Sequence, residues 1–182
     1  MSDAAHCIGF APIVNADTRL LILGSMPGVA SLAASAYYAH PRNGFWPIAA
    51  EYLATEHDLA ALPDDFDERY ALLLQANCGL WDVLAKAQRK GSLDASIRND
   101  SLQINDFSHL FDEFSRISHI ALNGQAASKW FHRLVWPTLS AAQQQRLHCH
   151  TLPSTSPAHA ALSLPQKSQQ WQAVFQLALR QA

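Results

Sequence analysis

Three segments of the 182-residue chain concentrate side chains that could bind a flat polar ligand and an anion. Residues 37–46 contain two adjacent tyrosines, a His-Pro pair, an arginine and an asparagine, so a stacking surface, a cation and an amide lie close together. Residues 152–158 read Leu-Pro-Ser-Thr-Ser-Pro-Ala, and their hydroxyl groups and proline-fixed backbone could offer donors to a phosphate diester. Residues 24–28, Gly-Ser-Met-Pro-Gly, are a glycine-flanked turn whose backbone can approach a ligand closely.

Each of these segments also has a purely structural interpretation. A Pro-Gly turn between a strand and a helix is ordinary, hydroxyl residues commonly cap helices, and either tyrosine could be a core aromatic with a solvated hydroxyl. Asn43 precedes Gly44, where a helix could begin, so this asparagine could be a helix N-cap. One segment alone is therefore weak evidence, and the combination carries more weight.

Composition and motif searches exclude several other classes of protein. Apolar residues make up 49% of the chain and charged residues 15%, which excludes a disordered protein. No apolar stretch approaches the ~18 residues of a membrane helix and the first ten residues do not resemble a signal peptide, so we expect a cytoplasmic protein without a membrane span. The chain lacks both the GK[ST] ending of a phosphate-binding P-loop and the GxGxxG of a dinucleotide fold. Cys7, Cys78 and Cys149 fit neither a disulfide framework nor a CxxC site, and we expect no bound metal.

The hydrophobic pattern predicts strands that end where the unusual segments begin. Short apolar runs, typical of strands buried on both faces, lie at 20–23 and 119–122, and residues 146–152, which precede Pro153, are a third strand candidate. Helical spacing of apolar residues predicts helices at 66–74, 107–117 and 171–179. This alternation favours an α/β fold with a mainly parallel sheet in one domain, residues 1–182. Because ligands of such sheets bind beyond the carboxyl ends of the strands, the turns that follow Leu23, Leu122 and Leu152 should form the site.

Charge is segregated along the chain although the formal net charge is only −2. Residues 51–68 contain seven acidic and no basic side chains, whereas residues 69–182 carry an excess of five basic ones. Three of the basic residues, Lys86, Arg89 and Lys90, flank the Gly-Ser-Leu sequence that begins at residue 91. This stretch is predicted to be flexible and to contact a phosphate backbone, and the alternative is a set of solvated cations at a helix end.

The motifs together resemble the uracil-DNA glycosylase superfamily, and within it the branch of deoxyinosine (hypoxanthine) DNA glycosylases. The resemblance rests on the order of the three segments, on Gly-Leu-Trp-Asp-Val-Leu at 79–84 and on Gly-Ser-Leu-Asp at 91–94. It implies a three-layer α/β/α domain around a central four-stranded parallel sheet, without metal or organic cofactor. The fourth strand is indistinct in the hydrophobic pattern, and we place it near residues 78–84.

The resemblance also implies roles for individual residues. Asn43 would be catalytic by orienting the attacking water, since an amide can accept a hydrogen bond from water although it is a weak base. The base pocket would comprise Gly24, Ser25, Met26, Pro27, Tyr38 and His40, with Tyr38 stacking on the base. The contacts to DNA would come from Arg42, Ser154, Thr155, Ser156, Lys86, Arg89 and Lys90. Met26 and Leu152 depart from the superfamily, whose members usually carry polar residues at these positions.

The function that this resemblance implies is base excision from DNA. The expected protein is a monomeric, monofunctional glycosylase that removes hypoxanthine, and with it uracil or xanthine as further candidates, from double-stranded DNA. The nearest alternative is a mismatch-specific uracil/thymine glycosylase on the same scaffold. Because Met26 and Leu152 replace polar residues, a module that binds altered nucleic acid without cutting it is a third interpretation.

Overall fold

The computed structural model describes residues 5–89 and 91–179 of the chain. The strands are β1 (Ala5–Ile8), β2 (Leu20–Gly24), β3 (Cys78–Asp82), β4 (Leu84–Arg89), β5 (Gln103–Ile104), β6 (His119–Asn123) and β7 (His148–Leu152). The α-helices are α1 (Val29–Ala34), α2 (Phe45–His57), α3 (Phe66–Gln75), α4 (Phe107–Glu113), α5 (Gln125–Trp130), α6 (Ala141–Arg146) and α7 (Leu164–Leu179). A π-helical turn, Phe131–Val135, continues α5, and short 3-10 turns lie at Asp94–Ser96, Asn99–Ser101 and Trp136–Thr138.

The central sheet consists of four parallel strands in the order β3-β2-β6-β7. Strands β2 and β3 are buried along their whole length, as the continuous apolar run at 20–23 predicts. Helices α3, α5 and α7 pack against the strands and complete the three-layer α/β/α arrangement. The predicted fold class is therefore confirmed, and the fourth strand lies at Cys78–Asp82, where the sequence indicated it only indistinctly.

A second, antiparallel sheet of order β1-β4-β5 lies beside the first one and was not predicted from the sequence. Residues 84–89 form its central strand rather than a flexible basic stretch. Within that strand Lys86 is exposed, whereas Arg89 is buried with 1% of its surface accessible. The Arg89 guanidinium donates to the carbonyl oxygens of Gly91, at 2.8 Å, and of Pro27. The prediction that Arg89 contacts DNA is wrong for this conformation, because its charge holds two loops together inside the protein.

Aromatic packing at the start of α2 fixes the segment that carries Tyr38 and Asn43. Phe45, the first residue of α2, is fully buried, and its ring centroid lies 4.2 Å from that of Tyr38 and 6.1 Å from that of Trp171 in α7. The Trp171 indole N–H donates to the Pro153 carbonyl oxygen at 3.0 Å. One aromatic contact network therefore holds both the 37–46 segment and the loop that follows β7.

The acidic block at 51–68 lies on α2, on the loop after it and on the first turn of α3. Asp65 caps α3 by accepting a hydrogen bond from the Glu68 N–H at 3.0 Å, and Asp67 and Glu68 favour the positive end of the helix dipole. Part of the block is thus explained by helix stability. Within residues 5–89 and 91–179, no helix is long and apolar enough to cross a membrane.

Candidate active site

The turns at the carboxyl ends of the parallel strands converge on a cavity of about 250 Å³. Its walls come from residues 24–31 after β2, 37–43 before α2, 92–94 after β4 and 154–158 after β7, together with Asp82 and Asn123 at the ends of β3 and β6. This is the edge at which ligands of open α/β sheets bind. The structure thus brings the three segments singled out in the sequence to one pocket.

Tyr38 is held in an unusual conformation at the pocket wall. Its backbone φ is +57°, a left-handed conformation that is uncommon for a residue other than glycine and is often associated with function. One side of its ring packs on Phe45 with the ring planes 30° apart, and the residue lines the cavity. Burial, reinforced by the charge of Asp82, raises the pKa of Tyr38, so its hydroxyl stays protonated. Tyr37 also lines the cavity, but it is buried in the core and its hydroxyl already donates to the Ala11 carbonyl oxygen at 2.9 Å.

Asn43 both lines the pocket and supports the start of α2. Its Oδ1 accepts a hydrogen bond from the Phe45 N–H at 2.9 Å, although the N-cap position itself belongs to Gly44. The structural interpretation of Asn43 as a capping residue is therefore partly correct. A carbonyl oxygen has two lone pairs, so the same Oδ1 can also accept a hydrogen bond from a water molecule in the cavity.

Asn123, which the sequence motifs did not point to, anchors the loop after β7. Its Nδ2 donates to the Thr155 Oγ1, and its Oδ1 accepts from the Thr155 N–H, both at 2.9 Å. The Thr155 carbonyl oxygen accepts from the Gly44 N–H at 2.9 Å, which connects this loop to the Asn43 segment. Thr155 is only 2% exposed, so its hydroxyl joins elements of the pocket, and the prediction that it contacts DNA is not supported. The signal for Asn123 was present in the sequence: it is the polar residue that ends a buried strand.

Ser154 and Ser156 remain at the pocket rim, where both are partly exposed. The Ser154 Oγ accepts from the Ser156 N–H at 3.2 Å, and the Ser156 Oγ accepts from the Ala158 N–H at 3.2 Å. Each hydroxyl can still donate its own proton to an anion. The proline-rich loop is thus fixed by its own side chains and keeps two donors near the cavity.

The turn after β2 is closed by residues 92–94. The Ser25 hydroxyl donates to the Asp94 Oδ1 at 2.5 Å, and the Val29 N–H donates to the Ser92 Oγ at 2.9 Å. Burial of its carboxyl group raises the pKa of Asp94, while the Ser25 hydrogen bond and Arg89 oppose that rise. Met26, like Leu152, is buried with 6% of its surface exposed, so neither residue brings a polar group to the cavity.

Asp82 is a buried carboxylic acid at the end of β3, beside Gly24 in the neighbouring strand. The residue is 3% exposed and lines the cavity, and its Oδ2 has no hydrogen-bond partner among the described residues. Burial, together with the negative charge of Asp94, raises the pKa of Asp82 to about 7, although Arg89 opposes this rise. Asp82 can therefore be neutral or ionised near physiological pH.

Comparison with known proteins connects this pocket to a family. A sequence model of the uracil DNA glycosylase superfamily matches residues 11–179. The chain belongs to the uracil DNA glycosylase superfamily. This confirms the resemblance that the sequence motifs indicated.

Individual relatives in the superfamily cover most of the chain. A hypoxanthine DNA glycosylase from Methanosarcina acetivorans is 31% identical over 168 residues, which cover 92% of this chain and 96% of the relative. A hypoxanthine DNA glycosylase from Methanosarcina barkeri is 33% identical over 122 residues, which cover 67% of this chain and 73% of the relative. A solution NMR structure of a provisionally named uracil DNA glycosylase from Methanosarcina acetivorans superposes on this protein with a TM-score of 0.77 and 28% sequence identity. The superposition covers 97% of this chain and 100% of that chain.

The remaining site predictions for this superfamily member concern His40 and the cations. The His40 Nδ1 accepts a hydrogen bond from the Arg42 N–H at 3.1 Å, which assigns the proton of a neutral ring to Nε2. His40 lines the cavity, whereas Arg42 is exposed just outside it. Lys86 is exposed on β4, and Lys90 lies outside the described residues. Among the residues that the structure describes, Arg42 and Lys86 are thus the predicted cationic contacts that lie at the surface.

The histidines that alternate along β7 lie far from the pocket, toward the amino ends of the strands. His148 and His150 share a face with His119 of β6, and the His119 Nδ1 and His150 Nε2 are 3.0 Å apart. Burial lowers the pKa of His119 and His150, and the neighbouring imidazoles lower it further. Among the residues that the structure describes, no group of three or more His, Cys, Asp or Glu side chains is arranged to hold a metal ion.

Proposed function

We propose that this protein is a DNA glycosylase that hydrolyses the N-glycosidic bond of deoxyinosine and releases hypoxanthine. The observation that carries the proposal is the cavity of about 250 Å³, a size suited to one extruded base, which lies between Tyr38 and Asn43 at the ligand-binding edge of a superfamily member. The two Methanosarcina relatives that are named hypoxanthine DNA glycosylases support the choice of base.

The reaction assigns a task to each part of the pocket. The target nucleotide leaves the duplex stack, and its base enters the cavity against Tyr38, whose ring packs on Phe45. As the bond between C1′ and N9 breaks, its electron pair goes to the purine, and the sugar gains positive charge. A water molecule oriented by the Asn43 Oδ1 forms the new C1′–O bond, and the proton that it loses is taken up through solvent by the departing base.

Contacts to the flanking DNA would come from the rim of the pocket and from exposed cations outside it. Ser154 and Ser156 offer hydroxyl donors to phosphates, and Arg42 and Lys86 offer charge. A monomer suffices for this proposal, because every group it uses belongs to one chain. We also retain Lys90 as a proposed phosphate contact on the strength of the sequence alone.

The apolar character of Met26 and Leu152 favours a second candidate, a module that binds altered DNA without cutting it. Both residues are buried and cannot polarise a water molecule, so catalysis depends on Asn43. The two candidates differ in turnover and share the pocket.

The test is a panel of duplexes that contain deoxyinosine, deoxyuridine, deoxyxanthosine or a G·T mismatch, each scored for abasic sites and for binding. We expect deoxyinosine to be processed fastest. Fastest processing of deoxyuridine or of the mismatch would identify a uracil/thymine glycosylase instead. Binding without any abasic product would identify the non-catalytic module.

A monofunctional mechanism is expected because the proposed catalytic side chain is an amide. In the part of the chain that the structure describes, the residues lining the cavity include no lysine that could form a Schiff base with the sugar. Borohydride added during turnover should therefore trap no protein–DNA adduct. A covalent adduct that depends on deoxyinosine would show a lyase step and contradict this mechanism.

A further inference from the structure

Two polar atoms in the pocket are buried without hydrogen-bond partners. Within residues 5–89 and 91–179, the buried side-chain atoms in this state are the Tyr38 hydroxyl, the Asp82 Oδ2 and the Arg89 Nη1. Tyr38 and Asp82 both line the cavity, whereas Arg89 does not. Buried polar groups are nearly always paired, so an unpaired donor and an unpaired acceptor in one cavity suggest that a ligand completes them.

Gly24 explains why these two groups can approach the same place. A Cβ atom built at Gly24 would collide with the Asp82 Oδ1 and would lie 3.3 Å from the Tyr38 hydroxyl oxygen. Glycine at this position therefore leaves room for the carboxyl group of β3 and the phenol of the 37–43 segment to converge. Burial of the phenol and then the negative charge of Asp82 raise the pKa of Tyr38, while the nearby Asn123 amide lowers it. An amide N–H can only donate to the phenol oxygen, so the Tyr38 O–H itself remains a donor without an acceptor, beside a carboxyl group.

We propose that Tyr38 and Asp82 recognise the edge of the base on which deamination leaves a ring N–H beside a carbonyl group. The Tyr38 hydroxyl donates to the exocyclic oxygen, and the Asp82 Oδ2 accepts from the adjacent ring N–H. In this arrangement the phenol meets the base at its edge, in place of the stacking that the family resemblance implies for Tyr38. This inference rests on the proposed glycosylase function and adds a specificity determinant to it.

The chemistry of the bases gives this donor–acceptor pair a selective value. Hypoxanthine presents a carbonyl oxygen at C6 and a proton on N1, and uracil has the same arrangement at C4 and N3. Adenine presents an amino group and a bare ring nitrogen there, and cytosine does likewise. With either parent base, the Asp82 oxygen would face a lone pair, and the phenol O–H would face an amino group. Guanine and thymine also carry the N–H and carbonyl edge, so this pair alone does not reject them.

The experiment compares duplexes that contain deoxyinosine and deoxynebularine, whose purine has neither the C6 oxygen nor the N1 proton. The measured quantity is the ratio of kcat/KM for the two substrates in each variant. The intrinsic difference between the two glycosidic bonds cancels when this ratio is compared between wild type and variants. The variants are Tyr38→Phe, Asp82→Leu and Asp82→Asn, each checked for folding by circular dichroism and thermal unfolding.

Tyr37→Phe is the matched control, because it removes a neighbouring phenol oxygen that already has a partner in the core. We expect Tyr38→Phe to lower the inosine-to-nebularine ratio about tenfold and Asp82→Leu to lower it roughly a hundredfold, as loss of a neutral and of a charged hydrogen bond predicts. Asp82→Asn should keep most of the ratio, since the amide oxygen still accepts from N1–H. Tyr37→Phe should lower thermal stability and leave the ratio unchanged.

The outcomes distinguish this inference from the proposed function on which it rests. Folded Tyr38→Phe and Asp82→Leu proteins that process both substrates more slowly, with the wild-type ratio, would show a purely structural role and overturn the inference. A wild-type protein that releases no base from deoxyinosine would overturn the proposed function, and the inference with it.

Discussion

Asn43 Oδ1 has one observed hydrogen bond and one proposed one, and substitution can separate the two roles. The bond from the Phe45 N–H stabilises the start of α2, and the proposed water in the cavity would use the remaining acceptor capacity of this oxygen. Tyr38 and Asp82 also have features that do not stabilise the fold. The backbone of Tyr38 is strained, and the Asp82 carboxyl group has an unpaired oxygen. The site is thus recognisable by two kinds of residue: those that lower the stability of the fold, and those whose side chains can make contacts that the fold does not need.

Replacing Asn43 by alanine tests the catalytic role, and serine provides the control. Asn43→Ala should lower the free energy of unfolding by about 1 kcal/mol, as loss of a capping interaction does. It should lower single-turnover excision of hypoxanthine by ~100-fold or more, since the water loses its acceptor. Asn43→Ser should regain stability, because a hydroxyl can accept from the backbone two residues on, without regaining activity. An alanine variant that cleaves within a few-fold of wild type would remove Asn43 from the mechanism.

Asp82 should make stability depend on pH in a defined direction. Its pKa is about 7 in the folded protein, above the ordinary value of 3.8, so between these values the folded state binds more protons than the unfolded state. The contribution of Asp82 is therefore most favourable at low pH and is lost as pH rises toward 7.

Asp82→Asn removes this dependence and gives the measurement. Relative to wild type, the variant should be more stable at pH 8 than at pH 4 by on the order of 2–4 kcal/mol in the free energy of unfolding. Urea unfolding of both proteins at both pH values gives the difference, in which contributions from other titrating groups cancel. An equal effect of the substitution at the two pH values would show that Asp82 is not buried as an acid.

At the scale of elements, the sequence predicted what depends on local pattern and missed what depends on distant partners. Apolar runs located β2 and β6, because strands covered on both faces need continuous hydrophobic residues. Strand β7, His-Cys-His-Thr-Leu, is only partly covered, and its position just before Pro153 indicated it. Strand β3, Cys-Gly-Leu-Trp-Asp, has no such run, and β5 is only two residues long, so neither gives a clear signal. The rule for parallel sheets predicted that the turns after β2 and β7 would meet, whereas the place of residues 37–46, between α1 and α2, depends on tertiary packing.

The roles of Thr155 and Arg89 could not be read from the sequence, because each depends on a distant partner. Thr155 lies in a serine-rich loop that looks suited to phosphate, yet its hydroxyl is held by Asn123, more than thirty residues away. Arg89 resembles a surface cation, but the carbonyl oxygen that accepts its hydrogen bond belongs to Pro27 in another loop. Such roles emerge only when tertiary structure brings the partners together.

The double hydrogen bond between Asn123 and Thr155 should be the main support of the loop after β7. Asn123→Ala removes both bonds and should lower the free energy of unfolding by ~2 kcal/mol, whereas Thr155→Val removes one and should cost ~1 kcal/mol. Both should lower kcat/KM on deoxyinosine DNA, because the loop is released from Asn43. Ser128→Ala is the control, since Ser128 bonds Thr151 on the exposed side of β7. If Asn123→Ala were no more costly than Ser128→Ala, the loop would have another support.

At the scale of the whole molecule, the small net charge conceals a division between an acidic surface and the pocket rim. The acidic block lies on α2, α3 and their connection, whereas Arg42 is exposed beside the cavity. With few described cations at the rim, the affinity for DNA should rest on hydroxyl and backbone donors as much as on charge.

Binding should therefore weaken with salt, with a slope set by a small number of phosphate contacts. Arg42→Ala and Lys86→Ala should each lower the affinity for a deoxyinosine duplex and reduce the slope of log affinity against log salt by about 1. Arg116→Ala is a suitable control, because Arg116 pairs with Asp17 at the opposite edge of the sheet. Titrations by fluorescence anisotropy at several salt concentrations provide the slopes. Equal effects of all three substitutions would indicate a change in net charge instead of local contacts.

The most direct measurement is the release of free hypoxanthine, detected by mass spectrometry, when excess protein is mixed with a deoxyinosine duplex. We predict one hypoxanthine and one abasic site per duplex with the wild-type protein, and no release with a folded Asn43→Ala variant that still binds the duplex. A wild-type protein that binds deoxyinosine DNA and releases no hypoxanthine would contradict the assignment of this pocket to base excision.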